Sequence, residues 1–156
     1  MSEPELIGGT AEDRAKILEL HEAYIDANTR FDWPKVATLY SGTPEAVYFN
    51  LNGHTYYGRE HWINLWKYYG QNVDSTYWTP FDIKGVVNDG MAVVYCHRKT
   101  RRRWTGSEPP PRDLNYDDSE FVTRSTMVFR REEDGVWRVV HAHFSKEEST
   151  PRPGGV

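Results

Sequence analysis

The chain has 156 residues, a length that suits one domain able to bury more than half of its unfolded surface. Its formal net charge of −4 argues against a nucleic-acid-binding surface, and no apolar run approaches the roughly 20 residues that span a bilayer. The single cysteine, Cys96, excludes an intrachain disulfide and suits a reducing compartment, so we expect a cytoplasmic protein. Aromatic residues make up 14% of the chain, and such side chains suit pockets and interfaces as well as cores.

The N-terminal part of the sequence predicts two helices. Thr10 has the residue type of an N-cap, and the residues after it keep apolar side chains at helical spacing. Three polar side chains, His21, Tyr24 and Asn28, lie on the same stripe as the aliphatic residues. A second, short helix is predicted from Asp32-Trp33-Pro34, because proline is well tolerated at a first helical position.

A strand, a turn and a third helix follow. Residues 45–51 predict the strand, on which Tyr48 and Asn50 share one face, and Asn52-Gly53 predicts the turn. A helix is expected to begin at Gly58. Its apolar side consists of Trp62, Ile63, Trp66 and Tyr69.

From residue 77 onward the sequence favours strands, over residues 77–87, 91–103, 119–131 and 136–146. Asn88-Asp89-Gly90 is a strong hairpin signal between the first two, and residues 104–118 predict a long loop. The basic cluster Lys99-Thr100-Arg101-Arg102-Arg103 is interpreted as a solvated strand end rather than a binding patch. We expect residues 1–9 to be flexible and residues 148–156 to form a disordered tail. Helices followed by antiparallel strands favour a single α+β domain over residues 10–147.

The last strand alternates two sets of side chains, because successive residues of an extended chain point to opposite faces. One set mixes aromatic, aliphatic, imidazole and hydroxyl groups, which suits the floor of a pocket. Its members are Trp137, Val139, His141, His143 and Ser145. The other set is largely apolar and comprises Arg138, Val140, Ala142 and Phe144.

Four segments carry a resemblance to a known family: Val47-Tyr48-Phe49-Asn50, Tyr57-Gly58-Arg59-Glu60, the run from Arg124 to Arg131, and the run from Asp134 to Ser145. Together they resemble the SnoaL-like branch of the nuclear transport factor 2-like superfamily, which includes ketosteroid isomerase, scytalone dehydratase and the association domain of a calmodulin-dependent kinase. The resemblance implies a cystatin-like α+β barrel, in which a cone-shaped, strongly curved antiparallel sheet wraps around the N-terminal helices. It also implies a homodimer through the outer sheet face, where Val140, Ala142 and Phe144 would meet the partner.

The resemblance assigns Tyr24 to the position of the isomerase's oxyanion-hole tyrosine. Its two functional carboxylates have no counterpart, since Asn50 stands near one position and Ser125 or Thr126 near the other. An amide cannot accept a proton at neutral pH, so the isomerase mechanism is not inherited unchanged. The family pattern also places Arg124 and Thr126 on the inner face of the sheet.

A general base must therefore be sought among the imidazoles, which titrate near neutrality. We predict Tyr24, His141, His143 and Arg124 as catalytic residues. The predicted substrate-binding residues are His21, Asn28, Tyr48, Asn50, His54, Trp62, Trp66, His97 and Thr126, with His54 at the rim of the cavity. The histidine spacing matches no metal-ligand motif, so no metal and no cofactor are expected.

Three classes of function stay open. The first is a cofactor-independent lyase, dehydratase, isomerase or cyclase that uses acid–base chemistry on a hydrophobic, aromatic or polycyclic small molecule. The second is a non-catalytic ligand-binding protein, and the third is an oligomeric scaffold of the same fold. A hydrogen-bonded polar network with no ligand is the structural alternative for the inward Tyr–His–Arg set.

Overall fold

A computed structural model describes residues 2–111 and 115–154 of the chain. The helices are α1 (Ala11–Arg30), α2 (Trp33–Leu39) and α3 (Gly58–Asn72). The strands are β1 (Glu5–Ile7), β2 (Val47–Phe49), β3 (Thr55–Tyr57), β4 (Val73–Asn88), β5 (Met91–Trp104), β6 (Asp117–Arg131) and β7 (Trp137–Lys146).

The helix ends follow the local sequence signals. The hydroxyl of Thr10 accepts a hydrogen bond from the backbone N–H of Asp13 at 3.0 Å, as predicted for an N-cap. Helix α1 ends at Phe31, whose φ of 49° is left-handed and lets its N–H reach the last carbonyls of the helix. None of the helices in the described ranges combines the length and apolar character needed to cross a membrane.

The strands form one curved, unclosed sheet in the order β1-β4-β5-β6-β7-β2-β3. This confirms the predicted α+β cone, with one addition: β1 pairs with β4, and β2 with β7, in parallel, so the sheet is mixed. Strand β1 lies within the N-terminal segment that the sequence predicted to be flexible. The described part of the predicted tail, residues 148–154, has no helix or strand.

A β-bulge changes the predicted faces of β7. His141 pairs with Val128 and Val139 pairs with Phe129, so Val140 has no partner on β6. The extra residue reverses the alternation, and the buried positions run Trp137 and Val139 before the bulge but Ala142 and Phe144 after it. The inward placement predicted for His141, His143 and Ser145 is therefore wrong, as is the outward placement of Ala142 and Phe144.

Buried and exposed side chains alternate regularly along β5 and β6. On β6, the positions predicted to face inward are the exposed ones. The buried side chains of β6 are Phe121, Thr123, Ser125, Met127 and Phe129. Arg124 and Thr126 are therefore exposed on the outer face, and their predicted inward placement is wrong. On β5 the buried positions include Arg98 and Arg102, so the basic cluster is not simply a solvated strand end.

The core lies between the three helices and the inner face of the sheet, and it is largely aromatic. Trp62 of α3 stacks on Phe144 of β7 with ring centroids 5.9 Å apart and an interplanar angle of 10°. Tyr24 of α1 lies 6.2 Å from the same phenyl ring. One region of the core interior is polar rather than aromatic. It is lined by side chains of α1, α3 and β5, among them Asn28 and Arg98.

Candidate functional site

A small cavity lies in that polar region. Its lining residues are Tyr24 and Asn28 of α1, Phe31 at the C-cap of that helix, Asn50 and Leu51 after β2, Trp62, Leu65, Trp66 and Tyr69 of α3, Trp78 of β4, Arg98 and Arg102 of β5, and Phe144 of β7. Its volume is about 30 Å³. A single water needs roughly 10–15 Å³ on this scale, so the cavity has room for about two waters or a group of similar size.

Arg98 is the most informative residue of the lining. It is 1% exposed, and its guanidinium lies over the rings of Trp78 and Phe144, with centroid distances of 4.6 and 4.9 Å. Its Nη1 donates to the hydroxyl of Tyr24 at 3.1 Å and to Oδ1 of Asn28 at 3.3 Å. The two aromatic faces and two acceptors hold the guanidinium plane in one orientation.

The charge of Arg98 has no protein counter-ion in the ranges that the structure describes. Neither an ion pair nor a hydrogen bond joins it to a carboxylate there, and its Nε is buried without an acceptor. Burying a charge without a carboxylate partner costs several kcal/mol. Arg98 is therefore the group of the cavity lining with the strongest electrostatic attraction for an anion.

The partners of Arg98 have their remaining hydrogens free for a ligand. A guanidinium only donates, so Tyr24 must present an oxygen lone pair to it and Asn28 its carbonyl oxygen. The hydroxyl hydrogen of Tyr24 and the amide N–H₂ of Asn28 then point elsewhere, and no acceptor for either is found among the described residues. Tyr24 and Asn28 thus each contribute a remaining hydrogen-bond donor to the lining of one small volume.

Tyr24 stays protonated at neutral pH. Burial raises the pKa of its hydroxyl above the ordinary value, and the nearby positive charge of Arg98 offsets only part of that effect. A neutral phenol polarised by a cation is a strong hydrogen-bond donor. Such a donor stabilises negative charge that develops on a substrate oxygen.

Asn50 and Arg102 complete the polar lining. The amide of Asn50 donates to the hydroxyl of Tyr69 at 3.2 Å, which leaves its carbonyl oxygen as an acceptor toward the cavity. Arg102 is also 1% exposed, and its Nε donates to the carbonyl oxygen of Asn115 at 3.4 Å. Its guanidinium lies 4.5 Å from the ring centroid of Tyr116, so aromatic rings surround both buried arginines.

His21 lies below the cavity and outside its lining. Its Nε2 is 3.9 Å from the Sγ of Cys96, which is itself 3.4 Å from the hydroxyl of Ser125. Burial, together with the charge of Arg98, lowers the pKa of His21 to about 4. The ring is therefore neutral near pH 7. Because His21 is not part of the cavity lining, its predicted contact with a substrate has no geometric support there.

A second, wider cleft adjoins the cavity and shares Leu65 and Tyr69 with it. Its volume is about 410 Å³. The other lining residues are Asn52, His54, Tyr56, His61, Asn64, Tyr68 and Pro111. His61 accepts a hydrogen bond from the backbone N–H of Tyr57 through Nδ1, at 3.1 Å, whereas the ring of exposed His54 has no such partner within the described chain.

The structure brings together five of the predicted site residues. Tyr24, Asn28, Asn50, Trp62 and Trp66 line the cavity. His54 lines the adjoining cleft, while Tyr48 is fully buried against Trp62 and Tyr40. The remaining predicted residues other than His21 lie on the outer sheet face, namely His97, Arg124, Thr126, His141 and His143.

The outer-face residues make contacts of their own. His97 is 3.4 Å from a carboxylate oxygen of Glu147, and Nε of Arg124 donates to the hydroxyl of Ser145 at 3.1 Å. Nδ1 of His141 donates to the carbonyl oxygen of Val47 at 2.6 Å. These side chains are separated from the cavity by the sheet, so a catalytic role for them there has no geometric support.

Arg98 was the main residue that the sequence analysis missed, although a signal for it was present. Ala92, Val94 and Cys96 alternate from the predicted hairpin turn and define the apolar, inward phase of β5. Extending the same phase places Arg98 and Arg102 inside. An arginine at every second position from a run of buried apolar residues on one strand therefore predicts a buried arginine.

A family comparison decides the chain's relationships. The model of the SnoaL-like domain matches residues 17–147, which is most of the chain. The chain belongs to the SnoaL-like family. A search of curated proteins found no match. In the described ranges of this SnoaL-like protein, no group of three or more histidine, cysteine or acidic side chains could hold a metal ion.

Solved structures confirm the fold. A protein with a cystatin-like fold from Caulobacter vibrioides is 19% identical, with a TM-score of 0.72, and the match covers 89% of this chain and 92% of that one. A ketosteroid isomerase-like protein from Erwinia carotovora atroseptica is 17% identical, with a TM-score of 0.69 and coverages of 91% and 100%. A dehydratase candidate of the NTF2-like family from Streptomyces avermitilis is 20% identical, with a TM-score of 0.67 and coverages of 88% and 98%.

Proposed function

We propose that this SnoaL-like protein is a cofactor-independent enzyme of the lyase or isomerase type that acts on a small organic molecule. The observation that carries the proposal is the hydrogen bond from buried Arg98 to the hydroxyl of Tyr24. It polarises the phenol and leaves its hydrogen for a substrate oxygen. The dehydratase candidate and the isomerase-like protein of the same fold support this reaction class.

The proposed step is a proton transfer next to a carbonyl group. A base removes a proton from the carbon beside the carbonyl, the C–H electron pair forms the enolate, and the charge moves to the oxygen held by Tyr24. We assign the base to His54, because its imidazole lies in the adjoining cleft and its ring has no hydrogen-bond partner within the described chain. Tyr24 then acts as the electrophilic catalyst, and Arg98 positions and polarises it.

The predicted aromatic or polycyclic substrate remains part of this proposal. The cavity of about 30 Å³ holds only a carbonyl-sized or carboxylate-sized group, whereas the cleft of about 410 Å³ falls in the range of small-molecule sites. The reacting oxygen would lie in the cavity and the ring system in the cleft. Tyr56, His61 and Tyr68 provide flat faces there.

Deuterium exchange tests the proposal without knowledge of the natural substrate. A panel of aryl ketones, beginning with acetophenone, is incubated with the protein in D₂O, and exchange beside the carbonyl is followed by NMR. We expect Tyr24→Phe to lower the exchange rate by about 100-fold or more, and His54→Gln by roughly 100-fold. Tyr95→Phe, on the exposed outer face, is the matched control and should keep the wild-type rate. Undiminished exchange in Tyr24→Phe would contradict the mechanism.

Non-catalytic ligand binding is the second candidate, and one observation favours it. No carboxylate or imidazole lines the cavity itself within the described residues. If the wild-type protein catalyses no exchange across the panel while it binds small molecules in the cavity, the cone serves as a carrier or sensor instead.

We also propose the homodimer, through a row of outward side chains that runs in register across all seven strands. Its members are Ile7, Val86, Val93, Val128, His141, Val47 and Tyr57. Ile7, Val86 and Tyr57 are exposed. Packing of this largely apolar row against a second copy of the chain would remove its side chains from water. We expect light scattering to give twice the monomer mass, and Val86→Glu to give the monomer mass. A wild-type monomer at micromolar concentration would remove this proposal.

A further inference from the structure

We infer that the ligand of the cavity is an organic carboxylate, whose charge supplies the counter-ion that Arg98 lacks among the described residues. The inference rests on the proposed function only for the location of the ligand, and its carboxylate would occupy the same cavity as the carbonyl oxygen of a ketone, one at a time. It names the chemical class that the cavity selects.

The hydrogen-bonding groups of the site favour an anion over a neutral ligand. Arg98 brings a full charge, and Tyr24 and Asn28 each have a donor left after accepting from its Nη1. Hydrogen bonds of Arg98 within the described chain involve Nη1 alone, so Nε and Nη2, which form one edge of the guanidinium, have no acceptor. That edge is one of those that bind a carboxylate through two parallel hydrogen bonds.

The size of the cavity fits a carboxylate group and little more. Its volume of about 30 Å³ corresponds to roughly two waters, and a carboxylate has two oxygen atoms. The rest of the molecule would extend past Leu65 and Tyr69, which line both the cavity and the cleft of about 410 Å³. The ligand is therefore an acid with a charged head and a larger, flat body.

Arg138, on β7 of the same sheet, is an arginine whose partners are carboxylates. Its guanidinium donates to Oε1 of Glu132 at 3.1 Å and to both carboxylate oxygens of Asp134 at 3.1 and 2.9 Å. Arg98 is more deeply buried and yet has only neutral acceptors in the described chain. The difference supports a counter-ion for Arg98 that is not among the described residues.

Fluorescence titration with benzoate and benzamide tests the inference. Trp62, Trp66 and Trp78 line the cavity and report on occupancy, and the two probes have nearly the same shape but differ in charge. We expect benzoate to bind the wild-type protein at least about tenfold more tightly than benzamide. Equal binding of the two probes would overturn the inference, and this comparison needs no variant.

Substitution of Arg98 locates the effect. Arg98→Met should lose at least about tenfold in benzoate affinity and change benzamide binding little. Arg124→Met is the matched control, because Arg124 lies on the exposed outer face, and it should bind benzoate as the wild type does. Full benzoate affinity in Arg98→Met would also overturn the inference. If that variant does not fold, Arg98→Lys retains the charge but not the planar fork, and it should bind benzoate more weakly than the wild type.

The outcomes separate this inference from the proposed reaction. If benzoate binding depends on Arg98 but no ketone exchange occurs, the inference of a carboxylate ligand stands and the proposed enzymatic reaction is contradicted. If ketone exchange depends on Tyr24 but benzoate binds no better than benzamide, the proposed reaction stands and the carboxylate inference is contradicted.

Discussion

The two faces of β7 differ in what their side chains do, although they alternate along one short strand. Phe144 faces inward, where it stacks on Trp62 and lies against Arg98, and it is 5% exposed. His143 is its neighbour and is exposed on the outer face beside Phe49. His143, which can transfer protons, lies on the outer face, whereas Phe144, which cannot, lines the cavity. The presence of histidines therefore did not identify the strand face that lines the cavity.

The largest expected effect tests this contrast directly. Phe144→Ala should lower the free energy of unfolding by about 3–5 kcal/mol, because it removes a buried ring from a packed aromatic cluster. His143→Ala should change it by less than about 0.5 kcal/mol, as exposed substitutions usually do. Urea unfolding of both variants measures the difference. Similar losses in the two would contradict the inward position of Phe144 and the outward position of His143.

A smaller effect concerns the pH dependence of stability. The pKa of His21 is about 4 in the folded protein and near 6.5 in an unfolded chain, so the unfolded state binds more protons between these values. The contribution of neutral His21 to the free energy of unfolding is thus fully present above about pH 6.5, and it is lost as the pH falls toward 4. Between pH 7 and pH 5 this group accounts for a loss of about 2 kcal/mol.

The measurement is urea unfolding at pH 7, 6 and 5. His21→Gln should show a shallower pH dependence than the wild type, because it removes the imidazole whose pKa is lowered by folding. An identical slope in the wild type and His21→Gln would show that His21 is not buried in its neutral form.

The smallest expected effect is the difference in stability between substitutions of Arg98, which has no carboxylate partner among the described residues, and of Arg138, which has two. Arg98→Met should raise the free energy of unfolding by on the order of 1 kcal/mol, since an apolar side chain replaces an uncompensated buried charge. Arg138→Met should lower it by about 1 kcal/mol, because it removes three hydrogen bonds to carboxylates that are partly screened by water. Thermal unfolding reports the sign of each change. A destabilised Arg98→Met would indicate a structural role for Arg98.

The regular elements and the fold were accessible from the sequence. The Thr10 cap, the Asn88-Asp89-Gly90 hairpin and the spacing along α3 each have a local physical cause, and each is confirmed. The short strands β1 and β3 were missed, since three residues carry no usable periodicity and depend on the neighbouring strand. Tyr24 and Asn28 share one face of α1, as the regular helical spacing predicts, and Asn50 directly follows β2.

The predictions failed where one residue alters the register. Counting alternate positions along β7 assumes an unbroken ladder, and nothing in the local sequence marks Val140 as unpaired. On β6 the phase depended on the family pattern, which placed Arg124 inside, whereas the buried positions are Thr123 and Ser125. Register depends on pairing with another strand, so one strand's sequence does not determine it.

The bulge at Val140 also bears on how a cavity of this kind could diversify. If the bulge were lost without a change of length, so that Val140 paired with Val128, every later side chain of β7 would move to the opposite face, and His141 and His143 would replace Ala142 and Phe144 on the wall. Deleting Val140 would instead restore an unbroken ladder and keep the present faces, because His141 would still pair with Val128. A slip of β7 by one residue along β6 would therefore convert an aromatic wall into a pair of imidazoles beside Tyr24.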